Sequence, residues 1–228
     1  MDDRIDRGMK AQLERWRAQL AAGAGRAGWK LGMHLRALQE PLGIDTPVLG
    51  FLTVANTIAP GSTHALAGGT MVGVEPEIAV HLRADVARDA SAEQARGAIA
   101  GLGPALEIVD VNGPRDDLEW MLAHNLFQRG VVFGLCDPTR ADGSIGDVTV
   151  RAFHNGTTVG RTDAHTVLGD VADIIRFAAN FLSMFGEQLR AGDRIITGSL
   201  TAPVWVQAGD LVTADFGALG TVGLRFEP

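Results

Sequence analysis

Three glutamates occupy strand-like parts of the sequence at spacings that would suit a metal ion. Glu75 and Glu77 flank Pro76 in one apolar stretch, and Glu107 lies in a second apolar run thirty positions after Glu77. Because successive side chains of a strand alternate between its faces, Glu75 and Glu77 point the same way. Carboxylates held this close and away from water repel each other. A divalent cation with oxygen ligands is the simplest compensation.

A plainer interpretation of the same glutamates stays open on spacing alone. Glu75 and Glu77 could line an exposed strand face, and Glu107 could pair with an arginine. Val74 and Ile78 are apolar neighbours of the pair. They argue against a solvated charged stretch, which would be the ordinary interpretation in a helix rich in Lys and Glu.

Composition narrows the class of protein. The chain has 228 residues, which fits one medium domain, and 46% of them are hydrophobic, enough for a substantial core. A net charge of −7 argues against a nucleic-acid surface, and no apolar stretch is long enough to cross a membrane. The single cysteine, Cys136, permits no internal disulfide, and the charged N-terminus shows no secretory signal. These features favour a cytoplasmic protein.

Periodicity predicts an α+β fold built mainly from β-structure. An apolar stripe at steps of three and four predicts an amphipathic helix over residues 5–20, and a Gly- and Pro-rich loop is expected over 41–62. Strands are predicted at 72–82, 105–111, 130–135, 193–198, 210–216 and 221–226, with a hairpin over 148–159. Helices are predicted at 91–99, 117–126 and 168–189, the last with Ile174, Phe177, Phe181, Met184 and Phe185 on its inner side.

The domain organisation follows from this pattern. Residues 1–228 are predicted to form a single catalytic domain. The N-terminal helical segment, 1–26, must bury its apolar stripe against the body of the domain or a neighbouring subunit.

Several runs of sequence together resemble one family. They are Gly28-Trp-Lys-Leu-Gly-Met33, Val74-Glu-Pro-Glu-Ile-Ala79, Pro104-Ala-Leu-Glu-Ile-Val-Asp110 and Thr197-Gly-Ser-Leu-Thr-Ala-Pro203. In order and spacing they are similar to the hydratase/decarboxylase branch of the fumarylacetoacetate hydrolase superfamily. The resemblance extends from about Gly28 to the terminal Gly-Leu-Arg-Phe. It implies that family's mainly β C-terminal-domain fold.

The resemblance also implies a site. Glu75, Glu77 and Glu107 would bind Mg²⁺ or Mn²⁺, which all-oxygen ligation favours. Lys30 would lie beside the metal, where it could move protons or hold the substrate carboxylate. His34, soon after Lys30, could donate a proton, and a surface histidine is the alternative.

Three further residues are predicted to bind substrate. Ser199 and Thr201 match family positions near the substrate and can donate hydrogen bonds to a carboxylate, although hydroxyls in such a turn also serve as caps. Gln128 stands where the branch usually carries a serine. Val48 replaces an aspartate, and Phe127 replaces another serine. These departures remove groups that could position a water molecule.

The function implied is a divalent-metal-dependent lyase that acts on a 2-keto acid or its dienol through a metal-stabilised enolate. The leading activity is that of a 2-keto-4-pentenoate hydratase. A 4-oxalocrotonate-type decarboxylase or an acylpyruvate-type C–C hydrolase is the alternative, and a catalytically silent binding partner is a third possibility. The expected partners are a small 2-keto acid and further copies of the chain, as a dimer or a ring of dimers.

Overall fold

Apolar runs throughout the chain pair into two β-sheets, and six helices accompany them. The computed structural model describes residues 1–228. The helices are α1 (Asp3–Ala21), α2 (Arg36–Gln39), α3 (Ala92–Gly97), α4 (Leu118–Ala123), α5 (Ala164–Leu168) and α6 (Val171–Ser183). The strands are β1 (Arg26–Gly32), β2 (Val48–Thr53), β3 (Thr57–Ile58), β4 (Thr63–Ala65), β5 (Val72–Leu82), β6 (Ile99–Asp110), β7 (Gln128–Phe133), β8 (Thr149–His154), β9 (Thr157–Asp163), β10 (Arg194–Ile196), β11 (Val204–Trp205), β12 (Leu211–Asp215) and β13 (Thr221–Glu227). The predicted α+β class is confirmed.

The larger sheet has eight strands and carries the site. Its order is β2-β1-β10-β5-β6-β7-β3, and β11 also pairs with β5. The β1–β10 and β3–β7 pairs are parallel, and the other pairs are antiparallel. The long antiparallel β5–β6 pair forms its centre, where the register is fixed over almost the full length of both strands.

The smaller sheet has five strands in the order β4-β13-β12-β8-β9. Its β8–β9 hairpin turns at Asn155 and Gly156, which both have positive φ, as the predicted Asn-Gly turn requires. Strand β13 pairs in parallel with β4, so the C-terminal strand holds the segment that follows β3.

The two faces of β5 differ in what they bury. Val74, Ile78 and Val80 belong to a core cluster of 51 buried residues that also includes the apolar faces of α1 and α6. Ala79, which points the other way, belongs to a separate cluster of seven residues with Ala105, Val131, Phe133 and Ile196 among its members. The glutamates share the face of this smaller cluster because they alternate with Val74 and Ile78.

Helix α1 confirms the predicted amphipathic helix and shows where its apolar stripe goes. Ile5, Met9, Leu13 and Trp16 are all buried in the main core, and the ring centroid of Trp16 lies 4.9 Å from that of Trp29 in β1. The stripe therefore packs on the body of the same chain. It is not left free for a neighbouring subunit.

The predicted loop over residues 41–62 is wrong in its middle part. Strand β2 lies there, is buried along its whole length and pairs with β1. Continuous burial removes the alternation that marks a half-buried strand, and Pro47 and Gly50 reinforced the interpretation as a loop.

The predicted helix over 168–189 is also corrected. Gly169 has a φ of 66° and separates α5 from α6, which ends at Ser183. Met184 consequently lies beyond the helix and is 51% exposed, not on an inner face. Leu135, predicted at the end of a buried strand, follows β7 and is 90% exposed.

None of the six helices combines the length and the apolar character that a membrane-spanning helix needs.

The packing of α1 makes a stability prediction. We expect Trp16→Ala to lower the free energy of unfolding by about 3–5 kcal/mol, because it empties a buried site against Trp29 and Phe51. Urea denaturation measures the change. The control, Arg15→Ala, alters an exposed neighbour on the same helix and should stay within about 0.5 kcal/mol. A loss of less than 1 kcal/mol for the tryptophan variant would contradict the docking of α1, given the usual cost of about 3 kcal/mol or more.

Candidate functional site

The β5–β6 register brings the three predicted glutamates together. Glu75 pairs directly with Glu107 across the strands, and Glu77 lies two residues further along the same face of β5. One carboxylate oxygen from each residue lies within 4.8 Å of those from the other two. Glu77 and Glu107 are each 1% exposed, and Glu75 is half-buried.

Burial and mutual repulsion set the protonation of this cluster. The pKa of Glu75 rises to about 7, because burial disfavours the charged form and Glu107 adds like charge, while Lys30 opposes both. Burial, then Glu107 and Glu75, raise the pKa of Glu77 well above its ordinary value. The pKa of Glu107 is raised by burial, against the opposing effect of Lys30. Three carboxyl groups face one ammonium, so the cluster lacks positive charge.

The donor set fits a hard divalent cation. All three side chains offer oxygen, and Oε1 of Glu77 is buried without a hydrogen-bond partner. Its other oxygen, Oε2, accepts a 2.7 Å hydrogen bond from the backbone N–H of Gly198. An orphaned buried oxygen beside two further carboxylates is a feature that a Mg²⁺ or Mn²⁺ ion would satisfy.

Lys30 reaches the cluster from β1. It is 3% exposed, and its Nζ forms an ion pair with Glu107 and donates to the carbonyl of Leu126 at 3.2 Å. Gly50 of β2 pairs with Lys30, and a Cβ there would lie 2.7 Å from Cγ of Lys30. The absence of a side chain at Gly50 therefore leaves the path of the lysine open.

A strained turn supplies the carbonyl that Lys30 contacts. Asn125, Leu126 and Phe127 have φ values of 57°, 53° and 64°, a left-handed conformation that costs residues other than glycine about 1–3 kcal/mol each. The Asn125 side chain holds the turn against β2: its Oδ1 accepts from the N–H of Phe51 at 2.8 Å, and its Nδ2 donates to the Phe51 carbonyl at 2.9 Å. Asn125 and Leu126 are not among the predicted site residues, because a run of three residues without glycine gives no sign of such a turn.

The predicted hydroxyl ligands are engaged within their own turn. Ser199 Oγ donates to the carbonyl of Thr201 at 2.6 Å, and Thr201 Oγ1 donates to the carbonyl of Ala202 at 3.2 Å. Both contacts are the capping role that was the alternative for these residues. Ser199 directly follows Gly198, so the turn still borders the glutamate cluster.

Gln128 lies beside the left-handed turn. Its Oε1 accepts from Asn56 Nδ2 at 3.4 Å and from Asn125 Nδ2 at 3.5 Å, and its Nε2 is buried without a partner. Val48 is fully buried and approaches the position of Gly32, as does Leu126. Phe127 packs against Trp120, with ring centroids 5.8 Å apart.

His34 lies next to Gly198, whose backbone N–H donates to Glu77. Its ring packs against Gly198, where a Cβ would lie 2.3 Å from Nδ1, and it borders a cavity of about 210 Å³ with Leu31, Thr197 and Phe177 among its lining residues. Burial lowers the pKa of His34 to about 4, so the ring is neutral at pH 7. A neutral ring is a poorer proton donor than an imidazolium.

Comparison with known proteins agrees with this arrangement. Residues 23–227 match the family model described as fumarylacetoacetate (FAA) hydrolase C-terminal. The chain is 28% identical over 219 residues to 2-hydroxyhexa-2,4-dienoate hydratase of Comamonas testosteroni, covering 94% of this chain and 83% of that protein. It is 28% identical over 202 residues to 4-oxalocrotonate decarboxylase of Pseudomonas putida, covering 87% and 76%.

A solved structure shares the fold closely. It is 4-oxalocrotonate decarboxylase from Pseudomonas putida G7 in complex with magnesium and adipate, with a TM-score of 0.87 and 27% identity over 94% of this chain and 83% of that one. The family model spans most of the sequence and includes every residue of the glutamate–lysine cluster. The chain therefore belongs to the fumarylacetoacetate hydrolase family.

Proposed function

We propose that this protein is a divalent-metal-dependent lyase that acts on a 2-keto acid or its dienol, with the hydration of a 2-keto-4-pentenoate-type substrate as the leading activity. The observation that carries the proposal is the buried cluster of three carboxylates beside Lys30. Hydratases and decarboxylases that act on such compounds are among the similar proteins, at 28% identity.

Each residue of the cluster has a role in this proposal. Glu75, Glu77 and Glu107 hold Mg²⁺ or Mn²⁺. When bound, the ion supplies Lewis-acid stabilisation of the negative charge that develops on the 2-keto oxygen of the substrate. Lys30, held between Glu107 and the Leu126 carbonyl, can donate or accept a proton at Nζ or hold the substrate carboxylate. Val48 and Leu126 both approach Gly32, two residues after Lys30 on β1, and present only apolar groups there.

Decarboxylation is the second candidate, and the apolar residues Val48 and Phe127 favour it. A hydratase must position a water molecule, but Val48 is buried and Phe127 packs on Trp120, so neither residue offers a polar group for that purpose. Loss of carbon dioxide leaves an enolate, which the site must stabilise, and this step needs no activated water. An acylpyruvate-type C–C hydrolase would need a base that activates water, and neutral His34 contacts Gly198 without a carboxylate partner. A catalytically silent binding partner is the remaining alternative.

Cytoplasmic location, a single catalytic domain and a homo-oligomer remain predictions.

Turnover separates these activities. We expect the purified protein with Mg²⁺ to consume 2-hydroxypenta-2,4-dienoate, seen as loss of dienol absorbance, or to release carbon dioxide from 4-oxalocrotonate. Chelation with EDTA should abolish either activity, and Mg²⁺ should restore it. Loss of absorbance without carbon dioxide identifies the hydratase, and carbon dioxide release identifies the decarboxylase. No turnover across a panel of 2-keto acids would leave the silent partner.

Metal binding tests the glutamate cluster directly. We expect Glu77→Gln to weaken Mn²⁺ binding by about 100-fold or more in isothermal titration calorimetry, because it removes one of three charged ligands. The variant should remain folded, since it also removes one of the carboxyl groups that repel each other. Glu93→Gln, which changes an exposed glutamate in α3, is the control. Unchanged Mn²⁺ affinity in Glu77→Gln would refute the metal assignment.

The contribution of Lys30 to turnover should be separable from metal binding. We expect Lys30→Met to lower turnover by about 100- to 10,000-fold, the range of general acid–base effects, while Mn²⁺ affinity is kept or rises. Affinity should not fall, because the variant removes a cation that competes for Glu107. Near-normal turnover with intact metal binding would show that Lys30 is only a buried ion-pair partner.

A further inference from the structure

Two contacts fix the end of the Lys30 side chain and leave one donor uncommitted. An ammonium group carries three N–H donors. One of them forms the ion pair with Glu107, and a second reaches the carbonyl of Leu126 at 3.2 Å. Glu107 lies in the centre of the large sheet, whereas Leu126 lies in the turn before β7. The direction of the remaining N–H therefore depends on where that turn holds its carbonyl.

The turn needs outside contacts to keep its conformation. Its three residues, 125–127, all have positive φ and none is glycine, so an isolated turn of this sequence would favour another conformation. Such a backbone persists only where its surroundings hold it. Leu126 and Phe127 are apolar, so Asn125 is the one residue of the turn whose side chain can form hydrogen bonds.

Asn125 ties the turn to the edge of the large sheet. Its Oδ1 accepts from the backbone N–H of Phe51 at 2.8 Å, and its Nδ2 donates to the Phe51 carbonyl at 2.9 Å. Phe51 lies in β2, the strand next to β1, which carries Lys30. An amide that bonds both backbone groups of one residue is fixed in orientation and in distance from the strand. The turn and the lysine are thus held by adjoining strands.

Gly50 of β2 brings the amide and the lysine side by side. A Cβ at this position would lie 2.8 Å from Oδ1 of Asn125 and 2.7 Å from Cγ of Lys30. The two side chains therefore pass the same point of the strand, where no side chain separates them. Asn125 is 5% exposed, so its contacts are shielded from water.

We propose that Asn125 is a positioning residue for Lys30. By bonding both backbone groups of Phe51, it holds the left-handed turn, and the turn holds the Leu126 carbonyl that directs the lysine. The effect on turnover rests on the proposed function, because it requires Lys30 to act on the substrate. The effect on the position of Lys30 does not.

The position of Lys30 can be measured without a substrate, because the chain contains only two lysines. With ¹³C at the lysine Cε, the NMR signals of Lys30 and exposed Lys10 are distinguished by the variant Lys10→Arg. The two Hε protons of Lys30 should have separate shifts in the wild type, since a fixed side chain keeps them in different surroundings. Asn125→Gly removes both bonds to Phe51 but tolerates the φ of 57°, and it should bring the two shifts together.

The matched control is Asn155→Gly. Asn155 is also left-handed, with a φ of 50°, and its side chain also ties a turn to a strand through two hydrogen bonds, but it lies in the smaller sheet. This variant should leave the Lys30 signals unchanged. A second variant, Asn125→Asp, keeps the acceptor for the Phe51 N–H and loses the donor, so it should give an intermediate separation. Thermal unfolding confirms that each variant is folded.

Turnover then tests whether the position of Lys30 matters. With Mg²⁺ and whichever of 2-hydroxypenta-2,4-dienoate and 4-oxalocrotonate the wild type consumes, Asn125→Gly should lower kcat by about 10- to 100-fold and change KM by less than about 3-fold. Affinity for Mn²⁺ should stay within about 2-fold of the wild-type value. Adding Asn125→Gly to Lys30→Met should slow turnover no further, because the amide acts through the lysine.

The outcomes separate this inference from the proposed function. The positioning role is refuted, while the lyase function stands, if Asn125→Gly leaves the separation of the Lys30 shifts or the value of kcat unchanged. It is also refuted if the double variant is slower than Lys30→Met, or if Mn²⁺ affinity falls as far as kcat, because the amide would then support the metal site itself. If the shifts merge but the wild type turns over no 2-keto acid, Asn125 positions Lys30 and the proposed function fails.

Discussion

The direct pairing of Glu75 with Glu107 is the contact on which the rest of the structure depends. Like charges opposite each other in a sheet destabilise it, and here the pair is largely removed from water. The register cannot relax by one residue, because that slip would turn Val74 and Ile78 out of the main core. Apolar burial on one face of β5 thus holds carboxylates together on the other.

Groups from distant parts of the chain offset part of the repulsion between the glutamates. Lys30 comes from β1, the Gly198 N–H comes from the turn after β10, and the Leu126 carbonyl fixes the lysine from the segment before β7. The strain of the left-handed turn at 125–127 is sustained by the two hydrogen bonds between Asn125 and Phe51. One ammonium and one N–H leave Glu77 Oε1 unsatisfied, which is the chemical reason for expecting a cation.

Much of this arrangement could be predicted from the sequence. The apolar run around Glu75 and Glu77 predicted β5 at residues 72–82, and an Asn-Gly pair located the hairpin of the small sheet. The resemblance to a family then associated Lys30 with the three glutamates. Strand β2 was missed, because its continuous burial leaves no period to detect. The turn at 125–127 and the pairing of β10 depend on tertiary contacts, and Asn-Leu-Phe and Arg-Ile-Ile carry no local sign of either.

The place of β10 also has a consequence for how the molecule forms. This three-residue strand lies between β1 and β5, so it joins residues near position 30 to residues near position 80 only after about 196 residues of chain exist. Contacts of such long sequence separation form slowly, because a large loop must close before any of them is made. During synthesis, β5 and β6 can form their hairpin early, whereas Lys30 cannot be fixed beside Glu107 until the last quarter of the chain has emerged. The glutamates are therefore brought together in β5 and β6 before their lysine can reach them.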